Sequence, residues 1–154
     1  MANASNIQTL DDVVEALSKL GYSAKKTEDG SAVLTAVGGP KQPFSTVITQ
    51  DENQTHLTIN CQVAASGQIN EDAKDDFLVS ALDANTRLAP FSIALITASD
   101  GHEGDDDFPI VLTNRIPVGD LSIGELEAAM NSLLRAIMGA RETLEVGLGK
   151  AVTA

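Results

Sequence analysis

The stretch with the most obvious capacity for chemistry is a run of carboxylates at Asp100, Glu103, Asp105, Asp106 and Asp107. Clustered carboxylate oxygens could hold a hard cation such as Ca²⁺. The run lacks the D-x-D-x-D-G spacing and the distant Glu of an EF-hand, so the competing reading is a solvated hairpin tip that helps keep the protein soluble. The sole cysteine is Cys61, with His56 on the same segment. Alternation along a strand puts Cys61 on the buried face and His56 on the opposite one, so the two do not form a local Cys–His nucleophile pair. A thiol in apolar surroundings is inert. His102 lies in the acidic loop, and the two histidines have no paired spacing that would suggest zinc. Gly147-Leu148-Gly149-Lys150 resembles a phosphate loop only in part. Leu144 stands where that pattern requires Gly, and a helix precedes it instead of a strand. Asn85, Arg87 and Arg115 sit in apolar contexts, and Asn85 reads as a helix C-cap or a member of a buried hydrogen-bond network. No G-x-S-x-G, H-E-x-x-H or G-x-G-x-x-G motif occurs. With no catalytic, cofactor-binding or firm metal-binding set, the expectation is a non-catalytic protein without a cofactor.

The elements that would position these residues are set by periodicity. Leu126, Met130, Leu133, Ile137, Ala140 and Leu144 recur at helical spacing. Ile123, Leu134 and Met138 widen that seam into a stripe suited to covering a sheet. Ser122 with Glu125 forms a capping-box start, and Gly147 and Gly149 mark the stop, giving a helix from Ser122 to about Val146. A first helix opens at Thr9 as N-cap with Asp12 at N3, carries Leu10, Val13, Val14, Leu17 and Leu20, and ends at Gly21.

Strands are expected at Tyr22–Thr27, Ser31–Val37, Phe44–Thr49 and His56–Val63, with Asp29-Gly30 as a hairpin turn. The last has strict alternation, with Leu57, Ile59, Cys61 and Val63 on one face and His56, Thr58, Asn60 and Gln62 on the other. A middle helix starts near Asn70, carries Phe77, Leu78, Ala81 and Leu82, and ends at Pro90. Phe91–Thr97 and Phe108–Thr113 read as two further strands, and Ile116 to Asp120 as a connection to the last helix. The fold class is therefore α+β, an antiparallel sheet with helices on one face, in the order helix, strands, helix, two strands, long helix.

The chain of 154 residues reads as a single domain over 1–154, with an ordered core of about 8–147 and short flexible termini. Its formal charge of -12 and 3% aromatic content disfavour nucleic acid, because a phosphate backbone is repelled and stacking platforms are scarce. One cysteine excludes an internal disulfide. Neither a signal-peptide pattern nor a bilayer-length apolar run is visible, so the expectation is a cytoplasmic protein with no membrane insertion.

Small size, acidity and element order are together similar to the type III secretion chaperone-like fold, and within it to the YjfI and YbjN families of small bacterial proteins. The likeness is carried by Pro43-Phe44-Ser45-Thr46-Val47-Ile48-Thr49, by His56 to Val63, by Phe77 through Leu82-Asp83-Ala84-Asn85 to Pro90-Phe91-Ser92, and by Phe108 to Glu145. It spans about Leu10 to Val146 and rests on apolar patterning. Tyr22–Thr27 and the loop Asp100–Asp107 depart from it. Secretion chaperones of this fold are dimers that bind an extended effector segment, and the YjfI and YbjN relatives have no established activity. The resemblance thus implies a protein-binding or chaperone-like module, a homodimer, whose partner is a protein or peptide segment. Phe77, Leu78, Ala81, Leu82, Phe91, Ile93 and Leu95 are its candidate dimer or binding residues. The charge of -12 favours an extended partner that is apolar or basic, and Tyr22–Thr27, blunted by Lys25 and Lys26, is the expected open edge. The alternative is a regulatory or sensor domain binding a small ligand or cation through Asp100–Asp107.

Overall fold

Two reciprocal capping boxes start the helices that frame the sheet. Thr9 Oγ1 accepts from the Asp12 amide at 3.2 Å, and the Asp12 carboxylate accepts from the Thr9 amide at 3.0 Å, opening α1 (Leu10–Lys19). Ser122 and Glu125 repeat this at α3 (Ile123–Leu148), with bonds of 3.1 and 2.8 Å. The computed structural model describes residues 6–39, 43–97 and 107–149.

Six antiparallel strands form one sheet: β1 (Ala24–Lys26), β2 (Ala32–Val37), β3 (Phe44–Gln50), β4 (His56–Ala65), β5 (Ser92–Leu95) and β6 (Pro109–Pro117). The spatial order is β1-β2-β3-β4-β6-β5, so β1 and β5 are the edges. The register aligns Ala24, Thr35, Thr46, Cys61, Leu112 and Ile93 in one row across all six strands. That row belongs to the covered face, where Val33, Ile48, Ile59 and Leu112 join the helices in a single aliphatic core. The opposite face carries Leu34, Val47, Asn60 and Thr113, all half-buried. This is the one-sided α+β arrangement that the alternation in β4 implies.

The long helix buries its whole expected seam, with Leu126, Met130, Leu133 and Ala140 at 0% exposure. Three positions differ from the periodicity. Met138 is 73% exposed, because the stripe needed to cover the sheet is narrower than the apolar residues available. Gly147 lies inside the helix and is buried, and Gly149, in the left-handed region at φ 66°, is the terminator. In β4 the strict alternation breaks at Val63. The pairing steps from Gln62↔Val111 to Ala64↔Ile110, so Val63 is an unpaired bulge residue and Ala64 takes the covered face.

Other boundaries shift for reasons of pairing. The expected connection at Ile116-Pro117 is strand, because β4 continues far enough to pair His56 with Pro117 and Leu57 with Ile116. The middle helix α2 is Lys74–Ala84, preceded by 3₁₀ turns at Ser66–Gln68 and Glu71–Ala73. It ends well before Pro90, since the Asn85 side chain is committed to β5.

Candidate functional site

α2 packs against α3 on one flank and stands beside β5 on the other. Its attachment to α3 depends on close approach. A Cβ added at Gly147 would lie 2.7 Å from Phe77 Cδ2 and 2.8 Å from Ile69 Cδ1, so only glycine lets α3 sit this near the Phe77 ring. Ser80 and Thr143 share a hydroxyl hydrogen bond of 2.9 Å across the same contact. Held there, α2 leaves an apolar groove of about 280 Å³ against β5. Phe77, Ala81, Ile69 and Ile110 are its buried parts, and Leu78, Leu82 and Leu95 are the exposed walls at 57%, 71% and 49%.

Every polar side chain that lines the groove is already engaged within the chain. The Asn85 amide clamps the outer edge of β5: the Ile93 amide donates to Asn85 Oδ1 at 2.7 Å, and Asn85 Nδ2 donates to the Ile93 carbonyl at 3.3 Å. Lys74 Nζ pairs with Glu71 at 2.8 Å. Ser66 Oγ accepts from the Phe108 amide at 2.8 Å. The groove therefore offers shape and apolar surface, with no converging free donors or acceptors to orient a polar ligand.

Its rim is acidic. Asp75, Leu78 and Leu82 follow one another at helical spacing, which puts the carboxylate beside the wall leucines. Asp72, Asp75 and Asp76 are exposed and have no cation partner among the described residues. Asp83 is neutralised by Arg87 at 2.8 Å.

The sequence-predicted residues fall into three groups. Leu78, Leu82 and Leu95 are exposed groove walls, while Phe77 and Ala81 form the floor and half-buried Ile93 lies beside them. Phe91 is 1% exposed and belongs to the core, because it precedes β5 and turns inward; it has no surface to offer a partner. Asp100, Glu103, Asp105 and Asp106, with His102, lie outside the described residues. Asp107 is described, and its carboxylate accepts from the Gly67 amide at 2.9 Å. Among the described residues no group of three His, Cys, Asp or Glu side chains is placed to hold a metal. Ile69, Lys74, Ser66 and Ile110 join the groove without any local sequence signal.

Cys61 is fully buried, and burial pushes its thiol up to about 11. His56 lies on the other face of β4, its Nδ1 2.9 Å from the Thr55 hydroxyl. Asp51 accepts from the Thr55 hydroxyl and from the His56 and Thr55 amides, and these three bonds, the Thr55 hydroxyl first, lower its carboxyl to about 2; Arg115 stands 3.5 Å away. Those contacts build the β3–β4 turn. The other edge strand, β1, carries Lys25 and Lys26, and Lys26 is tied to Asp11 of α1 at 3.1 Å.

No protein-family model and no curated protein matches the chain. Among the described residues no helix is long and apolar enough to cross a membrane.

Proposed function

We propose that the protein is a non-catalytic, chaperone-like binding module that receives an apolar segment of another polypeptide in the groove between α2 and β5. The supporting observation is the exposure of Leu78, Leu82 and Leu95 around a preformed apolar floor whose neighbouring polar side chains are all internally engaged. Exposed aliphatic walls are costly to leave in water, at about 25 cal/mol per Å², and a polypeptide side chain removes that cost without needing polar anchors. Affinity purification with the wild-type chain and with Leu82→Asp tests the reading. A polypeptide recovered with wild type and lost with the variant supports it. Recovery of the same set by both chains would sink it.

The proposed module is a homodimer, and its self-contact is best placed on the open face of the sheet. None of the residues in the six strands is Asp or Glu, although the chain carries 22 acidic residues. Two copies at -12 each can therefore approach through that face without opposing carboxylates, whereas pairing through α2 would set its acidic rims against each other. Six strands about 4.8 Å apart and roughly 20 Å long present about 500 Å² of projected area per copy, near the roughly 1,000 Å² total that a specific interface clears.

A further inference from the structure

We propose that the occupant of the α2–β5 groove is an amphipathic helix with basic flanks, docked by its side chains, and not an added β-strand. The inference rests on the binding function proposed above and names the occupant.

Strand addition needs a row of open N–H and C=O groups on the edge strand. β5 is only four residues long, and Ile93, one of its two outward-facing residues, is closed on that side by the Asn85 amide, which takes both the Ile93 N–H and the Ile93 C=O. The side-chain amide occupies the place a partner strand would take. An arriving strand would have to displace both hydrogen bonds at Ile93 and would find only Leu95 of the four residues also facing outward. The groove instead has the form that receives side chains. Its walls, Leu78 and Leu82 on one side and Leu95 on the other, flank a floor of Phe77 and Ala81. At about 280 Å³ it falls just under the range of about 300–1,000 Å³ used by small-molecule sites, and it has no free polar side chain to anchor one. A few aliphatic side chains from one face of a helix, spaced i, i+4 and i+7, suit that volume and lining.

Charge selects among such helices. Asp72, just before α2, and Asp75 and Asp76 on it stand exposed with no cation partner among the described residues, on a chain of net charge -12. Their position in and just before the first turn of α2 also favours that helix's dipole. That local role leaves their outward field uncompensated, so lysine or arginine beside the apolar face of the incoming helix is attracted and carboxylate is repelled. A second copy of the chain brings the same acidic rim and is opposed by the same field.

The test uses the full chain and labelled peptides of roughly 16 residues, followed by fluorescence anisotropy. One peptide has leucines at i, i+4 and i+7 with flanking lysines. The second replaces the lysines by glutamates, and the third keeps the first sequence except for a central proline. The first should bind and weaken severalfold as salt rises, and Leu82→Asp, at an exposed position, should weaken it by about tenfold or more. The glutamate and proline peptides should bind at least about tenfold more weakly than the first. Equal binding of the proline peptide, lost with Leu82→Asp, would overturn the helical occupant while leaving a polypeptide-binding groove. Equal binding of the glutamate peptide would overturn the charge selection. Failure of all three, with a dimer that Leu82→Asp dissociates, would put a second copy in the groove and overturn both the inference and the function it rests on.

Discussion

Asn85 ends α2 and, through its side chain, closes the middle of β5, so one amide sets both the length of the helix and the state of the sheet edge. Replacing it by alanine strips the Ile93 N–H and C=O of their partners in a half-buried setting. Asn85→Ala should therefore cost about 1–2 kcal/mol in chemical denaturation and raise the exchange rate of the Ile93 amide. No change in either would mean that water replaces the clamp freely. Cys61 behaves in the opposite sense, as a side chain governed first by burial, with a Thr46 hydrogen bond acting weakly against it. With its thiol at about 11 in the fold against an ordinary 9.0, the native protein should resist a thiol reagent near pH 8 and react only on unfolding. The folded value is raised, so this contribution is fully present below pH 9 and is lost as pH climbs from there through about 11, where the unfolded thiol is already ionised. Rapid native labelling would show that Cys61 is reached by solvent.

Helix-level energetics are decided by two glycines in α3 that look alike in the chain. A Cβ at Gly139 would meet only Leu88 Cδ2, at 2.7 Å, the far end of a side chain that can turn away. A Cβ at Gly147 meets the Phe77 ring and Ile69 together. Gly→Ala inside a helix gains up to about 1 kcal/mol in propensity, while overpacking costs about 1–3 kcal/mol. Gly139→Ala is thus expected to be near neutral and Gly147→Ala destabilising, with the difference read from denaturant midpoints. The reverse order would mean that α2 is not held against α3 through Phe77. Along the same helix, Leu133→Ala removes a fully buried side chain and should cost about 2–5 kcal/mol. A loss below about 1 kcal/mol would place Leu133 at the surface.

At the scale of the molecule the dominant feature is segregation of charge. Among the described residues the acidic ones occupy helices, turns and loops, and the six strands carry none. Light scattering at micromolar concentration is expected to give a mass near twice 16.1 kDa. Val47→Glu and Thr113→Glu, which place carboxylates on the open face, should reduce it to the monomer, and Leu82→Asp should leave it unchanged. A monomeric wild type, or a dimer broken only by Leu82→Asp, would remove the sheet-face assignment.

Local chemistry was sufficient for much of this fold. Capping boxes at Thr9 and Ser122, the 3.6-residue seam from Leu126 to Leu144 and the alternation from Leu57 to Cys61 are short-range patterns, and each acts within a few residues of where it is written. For that reason the element order, the α+β class and the burial of Cys61 were legible without coordinates. Phe77, Leu78, Ala81 and Leu82 were also legible as an apolar stripe, but its division was not. Which of them meets α3, which floors a groove and which faces water depends on how near α3 approaches, and that is set by Gly147, far downstream in the chain. The bulge at Val63, the inward turn of Phe91 and the clamp of Asn85 on Ile93 depend in the same way on partners distant in the chain or on pairing register. The sequence determined the elements because their signals are local. Only the tertiary structure decided which apolar residues stay exposed, because exposure is what remains after distant elements have packed.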